Sequence, residues 1–273
     1  MLLTKNYIIW PPIVLLALST SALANPKIET LDVAGVALGM TQAQAAEVIS
    51  QDTHLTPLGK LDIDAEFTRD DLPEPILLHN KARNAQQNTD LEEITTYFTG
   101  QPSEPKIWKV TRTTHYSVGK QPSVDSLNAA ITQKYGASPA SSRMNGNQLT
   151  WVYDEQGNQI TGKLGEDLIR KCVTSGFHDL SFTTHGVQNK FLKLVIFPND
   201  RARTAAAPEC AEYRFARVHL SQTDGLVNKL DVALVDLSLA IPALNETLKY
   251  IDEQIAGAKN KKLEGAQQIA PKL

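Results

Sequence analysis

His178, Asp179 and His185 are the nearest approach in this 273-residue chain to a ligand or acid–base cluster. Imidazole and carboxylate groups suit zinc coordination and proton transfer. If Leu180–Thr184 is a strand, though, the two histidines fall on opposite faces, because side chains alternate with a period of two. Ser117-Val118-Gly119-Lys120 has the S-x-x-K spacing of penicillin-binding enzymes, where the serine opens a helix and the lysine follows one turn later. Here Gly119 and Pro122 mark a strand-to-loop exit, and the companion S-D-N and K-T-G motifs do not occur. Gly157, Gly162 and Lys163 nearly spell a phosphate-binding loop, but Leu164 replaces the magnesium-binding hydroxyl, so the segment reads as a glycine-punctuated turn. Asp62, Asp64 and Glu66 align three carboxylates on one strand face. No glycine follows at the calcium-loop position, and Ile63, Ala65 and Phe67 fill the other face, the pattern of an amphipathic strand. With no G-x-S-x-G elbow and no H-E-x-x-H helix, no catalytic, cofactor-binding or metal-ligating residue is assigned.

The two cysteines, Cys172 and Cys210, carry a different chemistry. A zinc site needs three or four ligands at tight spacing, and the CxxC of thiol oxidoreductases is absent, so the pair reads as a disulfide. Closing that loop contributes about 4 kcal/mol on the chain-entropy account. An oxidising destination is what the leader predicts. Lys5 gives a positive start, Tyr7 to Leu18 is apolar, and Ala22-Leu23-Ala24 is a small-residue cleavage site before Asn25. The apolar run is shorter than the ~20 residues a membrane helix needs, and Pro11-Pro12 interrupts it. Residues 1–24 are therefore expected to be a signal peptide cleaved after Ala24. Neither cysteine follows the cleavage site closely enough to be lipidated, so no stable membrane anchor is expected in the mature chain. Its expected location is the periplasm, by Gram-negative-type export, or the medium.

Charge narrows the partners. Lys and Arg number 27 against 30 Asp and Glu, and loss of Lys5 with the leader makes the net charge of -3 one unit more negative. Nucleic acid and anionic lipid need a dense basic face, which this composition does not supply.

The elements follow from periodicity. Leu31–Met40 alternates as a short strand, after which Thr41 and Gln44 form a T-x-x-Q capping box for a helix over 42–51. Leu61–Phe67, Ile94–Thr99 and Lys106–Tyr116 read as strands, with Arg69–Asp90 a polar, proline-bearing surface excursion between the first two. A second helix starts at Ser123 with Leu127, Ala130, Ile131 and Tyr135 on one face, and Gly136 ends it. Gln148–Asp154 and Gln159–Thr161 flank a turn, and Leu192–Phe197, Tyr213–Leu220 and Val227–Leu237 are later strands. Beyond Pro242, Leu244, Leu248, Ile251 and Ile255 form a helical stripe that ends in a Lys-rich tail from Lys259.

The run Val36-x-Leu38-Gly39-Met40-Thr41, entering an Ala-rich helix, resembles the Gly-Met-Thr helix start of small bacterial envelope proteins of the BamE (SmpA/OmlA) type. The helix-then-strands order is similar to the unit used twice in the β-lactamase inhibitor protein fold. The glycine and proline that end the helix in those families fall in the second unit, in Gly136-Ala137-Ser138-Pro139. BamE-type proteins are lipid-anchored, and this chain departs from them in having no cysteine for the lipid. The resemblance implies tandem helix-plus-sheet units and an envelope location.

The expected fold class is α+β, with short helices on antiparallel sheet. The expected divisions are 1–24 signal peptide, 25–121 and 122–258 helix-plus-strand units, and 259–273 a flexible tail. Oligomeric state, and whether the units make one domain or two, stay open. The expected function is non-enzymatic, binding or scaffolding another envelope protein or a peptide. Trp108, Arg112, His115 and Tyr116 are the candidate partner surface, because aromatic and Arg anchors dominate interfaces. The alternatives are an exported hydrolase built around His178, Asp179 and His185, and a carrier holding a small apolar ligand between the sheet and residues such as Leu248 and Ile255.

Overall fold

In the computed structural model the described residues are 26–51, 62–67, 76–83, 91–137, 147–173 and 210–267, the strands at 62–67 and 76–83 through their backbone pairing. The predicted segments 1–24 and 192–197, and His178, Asp179 and His185, lie outside them. The fold is α+β: among the described residues eight antiparallel strands form one sheet with helices packed against it.

Helix α1 (Gln42–Gln51) begins at the expected capping box. The Thr41 N–H donates to Gln44 Oε1 at 2.9 Å and the Gln44 N–H to Thr41 Oγ1 at 3.3 Å, satisfying two groups that a helix start leaves unpaired. The segment before it is not the expected strand. Ile28–Thr30 is a 3₁₀ turn, and Val33 and Val36 pair across a tight reversal in which Ala34 and Gly35 have φ of 52° and 80°. Asp32 Oδ1 accepts from the Gly35 N–H at 2.8 Å, so a local side-chain bond overrides the alternation and turns both valines into the core.

Strands β1 (Asp62–Phe67), β2 (Ile76–Arg83), β3 (Leu91–Phe98) and β4 (Ile107–His115) run as a meander. The expected excursion over 69–90 is corrected by β2, which pairs with both β1 and β3.

Helix α2 (Val124–Tyr135) is bounded as predicted, with Ser123 Oγ accepting from the Ser126 N–H and Gly136 at φ 80°. Strands β5 (Gln148–Tyr153) and β6 (Gln159–Ile160) lead through helix α3 (Gly162–Leu168) into a π-helical turn, Ile169–Val173. Strands β7 (Arg214–Thr223) and β8 (Leu226–Asp236) form a hairpin, and the C-terminal helix α4 spans Leu237–Gln267. That helix starts ahead of Pro242 because Asp236 caps it, its Oδ1 accepting from the Leu239 N–H at 2.9 Å. It continues to Gln267, so Lys259, Lys261 and Lys262, expected within a flexible tail over 259–273, are helical residues.

The strand order is β1-β2-β3-β4-β8-β7-β5-β6, so the halves join where the last strand of each, β4 and β8, pair antiparallel. Ile94, Val110, Leu234, Val218 and Trp151 present one face to α1, α2 and the 28–36 segment. Trp151 lies 5.2 Å from Tyr135 between ring centroids and donates its indole N–H to the Ala137 carbonyl. Burial pushes the Tyr135 and Tyr153 phenols well above their ordinary value. On the opposite face Val152, Phe215 and Val235 meet α3, the start of α4 and the Cys172–Cys210 disulfide, whose Cα atoms are 5.7 Å apart. Leu248 and Ile251 of the predicted stripe are buried, with Leu244 and Ile255 half-buried beside them. A Cβ on Gly100 would stand 2.6 Å from the Thr247 hydroxyl, so the helix and the end of β3 approach closely at that point.

Candidate functional site

The four residues expected to make a partner surface do not share a face. β4 bulges at Trp108, which the register skips between Tyr97↔Lys109 and Phe98↔Ile107, and its ring packs on Tyr97 and the disulfide-side cluster. Arg112 points to the helix side and ion-pairs with Glu92 at 2.7 Å. His115 ends β4 exposed, while Tyr116 packs on the main core. Two other sequence motifs sit in ordinary local structure. The Lys120 N–H donates to the Ser117 carbonyl in a reverse turn, and Lys163, in the short α3, pairs with Asp167, whose carboxyl it holds below the ordinary range.

A different group converges on the sheet face opposite α1 and α2. The register aligns Glu93, Thr113, Asp231, His219 and Gln148 in one row across β3, β4, β8, β7 and β5. Asp231 is its centre. Its side chain is 2% exposed, and three donors surround the carboxylate: the Thr113 hydroxyl at 2.7 Å, the Lys229 ammonium at 2.8 Å and His219 Nδ1 at 3.5 Å. A buried carboxylate is tolerable only when paired and hydrogen-bonded, and here both oxygens are engaged. In the next row Arg217 Nη2 donates to Gln148 Oε1 at 2.6 Å. Lys229 and His219 remain about a third exposed, at 32% and 37%. The carboxylate thus acts as a sunken anchor that orients cationic and imidazole groups on a stiff sheet.

One irregularity creates this arrangement. The β7–β8 hairpin closes through Asp224 and Gly225, both at positive φ, the two-residue turn that D-G favours. Ideal pairing from that turn would set Leu230 opposite His219. Instead β8 carries one extra residue, Asn228, between Gln222↔Val227 and Ser221↔Lys229, which brings Asp231 opposite His219. Asn228 is tied down on three sides. Its Oδ1 accepts from Gln121 at 2.6 Å, its Nδ2 donates to Thr223 Oγ1 at 2.8 Å, and its carbonyl accepts from the Tyr116 N–H at 2.9 Å.

Chemically, a carboxylate beside Nδ1 sets an imidazole with its other nitrogen outward, the pose of a general base or a hydrogen-bond donor. Ser221 lies on the same strand face two residues on, about 7 Å along β7, which is beyond hydrogen-bond reach of the ring. The arrangement therefore offers Lys229, His219 and Arg217 to a docked ligand more readily than it activates a nucleophile. Among the described residues no group of three or more His, Cys, Asp and Glu could hold a metal ion.

Comparison with known proteins places no relative beside this chain: no family model, no curated protein and no solved structure matches it.

Proposed function

We propose that this chain is an exported, non-enzymatic periplasmic protein whose polar sheet face docks an acidic segment of another envelope protein or peptide. The observation that carries this reading is the row centred on Asp231, where a buried carboxylate holds half-exposed Lys229 and His219 on rigid paired strands. Sites built on strands keep their geometry better than sites on loops, and charge complementarity supplies register and encounter rate. Arg217 adds a second permanent cation to the same face. The disulfide, and the absence among the described residues of any helix long and apolar enough to cross a membrane, fit an exported chain. The leader features over Lys5 to Ala24 supply the route, and the resemblance of Val36–Thr41 to BamE-type helix starts supports an envelope setting.

A photo-crosslinking residue at Ser221, on the docking face, and another at exposed Asn128, on α2, test the reading in living cells. The expected result is a discrete adduct from position 221 that disappears in Lys229→Glu. No adduct at 221, or the same adduct from 128, would overturn it. N-terminal mass analysis of the periplasmic fraction checks the export step. It should begin at Asn25, and an uncleaved chain in the membrane pellet would sink that part.

A further inference from the structure

At the far end of the same strands, about five residues or 17 Å from the Asp231 row, the chain forms a second concavity. It has a volume of about 390 Å³, within the range of small-molecule sites. One wall is apolar, made by Ile28, Leu31, Ala37 and Leu38 from the segment ahead of α1. The other is polar. Arg214 at the start of β7 is clamped between Glu29 and Asp236, the latter ion pair measuring 3.0 Å. Asp236 is committed a second time, as the cap of α4, through Ser238 and the Leu239 N–H. Arg214 is therefore fully engaged by its two carboxylate partners, and the trio as a whole carries one net negative charge.

Lys106 is the exception. Its backbone is fixed at the entrance to β4, donating to Thr99 Oγ1 at 2.9 Å and bridging to Thr41, while its side chain is exposed at the rim. No carboxylate among the described residues pairs with it. The cavity thus combines one uncommitted ammonium with an aliphatic wall, and its charged lining sums to zero with Lys106 included, which disfavours a multiply charged guest. We propose that it binds a small amphipathic monoanion, a short-chain carboxylate, with the head group on Lys106 and the hydrocarbon along Leu31 and Leu38. This site is independent of the docking face.

Hexanoate is the probe, titrated into the mature chain and followed by amide NMR shifts, with hexanol as the uncharged control. Saturable shifts should concentrate at Leu38, Gly39, Lys106 and Leu239. Affinity should fall about tenfold in Lys106→Gln and for hexanol, the loss expected for one charge-assisted contact. Lys106 is exposed, so this variant should keep the fold, and Ala37→Phe should abolish binding by filling the apolar half with Lys106 intact. Shifts that never saturate, that scatter over the surface, or that Lys106→Gln leaves unchanged would each overturn the assignment.

Discussion

Single residues of this protein carry costs that its sheet makes visible. Tyr153 is fully buried on β5, and its hydroxyl has no hydrogen-bond partner among the described residues, although its ring packs in the main core. Burying a phenol without a partner costs about 1–3 kcal/mol, so Tyr153→Phe is expected to stabilise the fold by about 1 kcal/mol at neutral pH, read as a higher urea midpoint with unchanged slope. The same residue predicts an alkaline effect. Burial raises the phenol above its ordinary value in the folded state, while the unfolded chain ionises it near about 10. Above that pH the unfolded state holds fewer protons, so the contribution is intact below about 10 and is lost as pH rises toward the folded value. Urea midpoints across that range should fall less steeply in Tyr153→Phe than in the parent, Tyr135 sustaining the remainder. Equal slopes would show that the phenol ionises freely in the folded state.

Elements translate such residues into a site, and here a single bulge decides the outcome. Asn228 shifts the β7–β8 register by one residue, and in a sheet that changes which face each partner meets. Asn228→Ala should cost about 1–2 kcal/mol by removing its side-chain bonds to Gln121 and Thr223. Faster amide exchange confined to the hairpin end around Ser221–Leu226 should accompany it. Unchanged stability and exchange would mean that the backbone bond from Tyr116 alone holds the bulge. This dependence also explains what was legible in the amino-acid sequence. The α1 capping box, the Ser123 and Gly136 bounds of α2, and the alternation of β3, β4, β5, β7 and β8 are local signals, and they were readable. Strand β2 was not, because His79-Asn80-Lys81 gives it a polar half and Pro75 reads as a breaker. Nor was the Ala34-Gly35 reversal, where alternation continues through a turn, or the early start of α4, which Pro242 hides. The Asp231 row was beyond reach for a deeper reason. Reading the D-G turn correctly pairs His219 with Leu230, and no local pattern announces the extra residue that brings Asp231 there.

At the scale of the whole molecule the two halves share a plan that the disulfide makes intelligible. In each, the residue capping the helix bridges to the entrance of the last strand, Thr41 to Lys106 and Ser123 to Leu226. The second span is longer by 38 positions, which is the separation of Cys172 and Cys210. The bridge itself sits beside Val152, Phe215 and Val235, so it ties the end of the π-helical turn to the approach to β7. Because β4 pairs with β8 and the main core draws on both halves, the loss of this constraint should act on the molecule as one unit. Cys172→Ala with Cys210→Ala is therefore expected to lose about 2–4 kcal/mol, mostly through a less restricted unfolded chain, while unfolding remains a single transition. Reductant should lower the urea midpoint of the parent to that of the double variant and leave the variant unmoved, since the chain has only these two cysteines. Two separated transitions would instead reveal halves that fold independently and meet only at the β4–β8 seam. A parent indifferent to reductant would mean that packing of Cys172 and Cys210 against Phe215 and Val235 suffices, with the bond adding nothing.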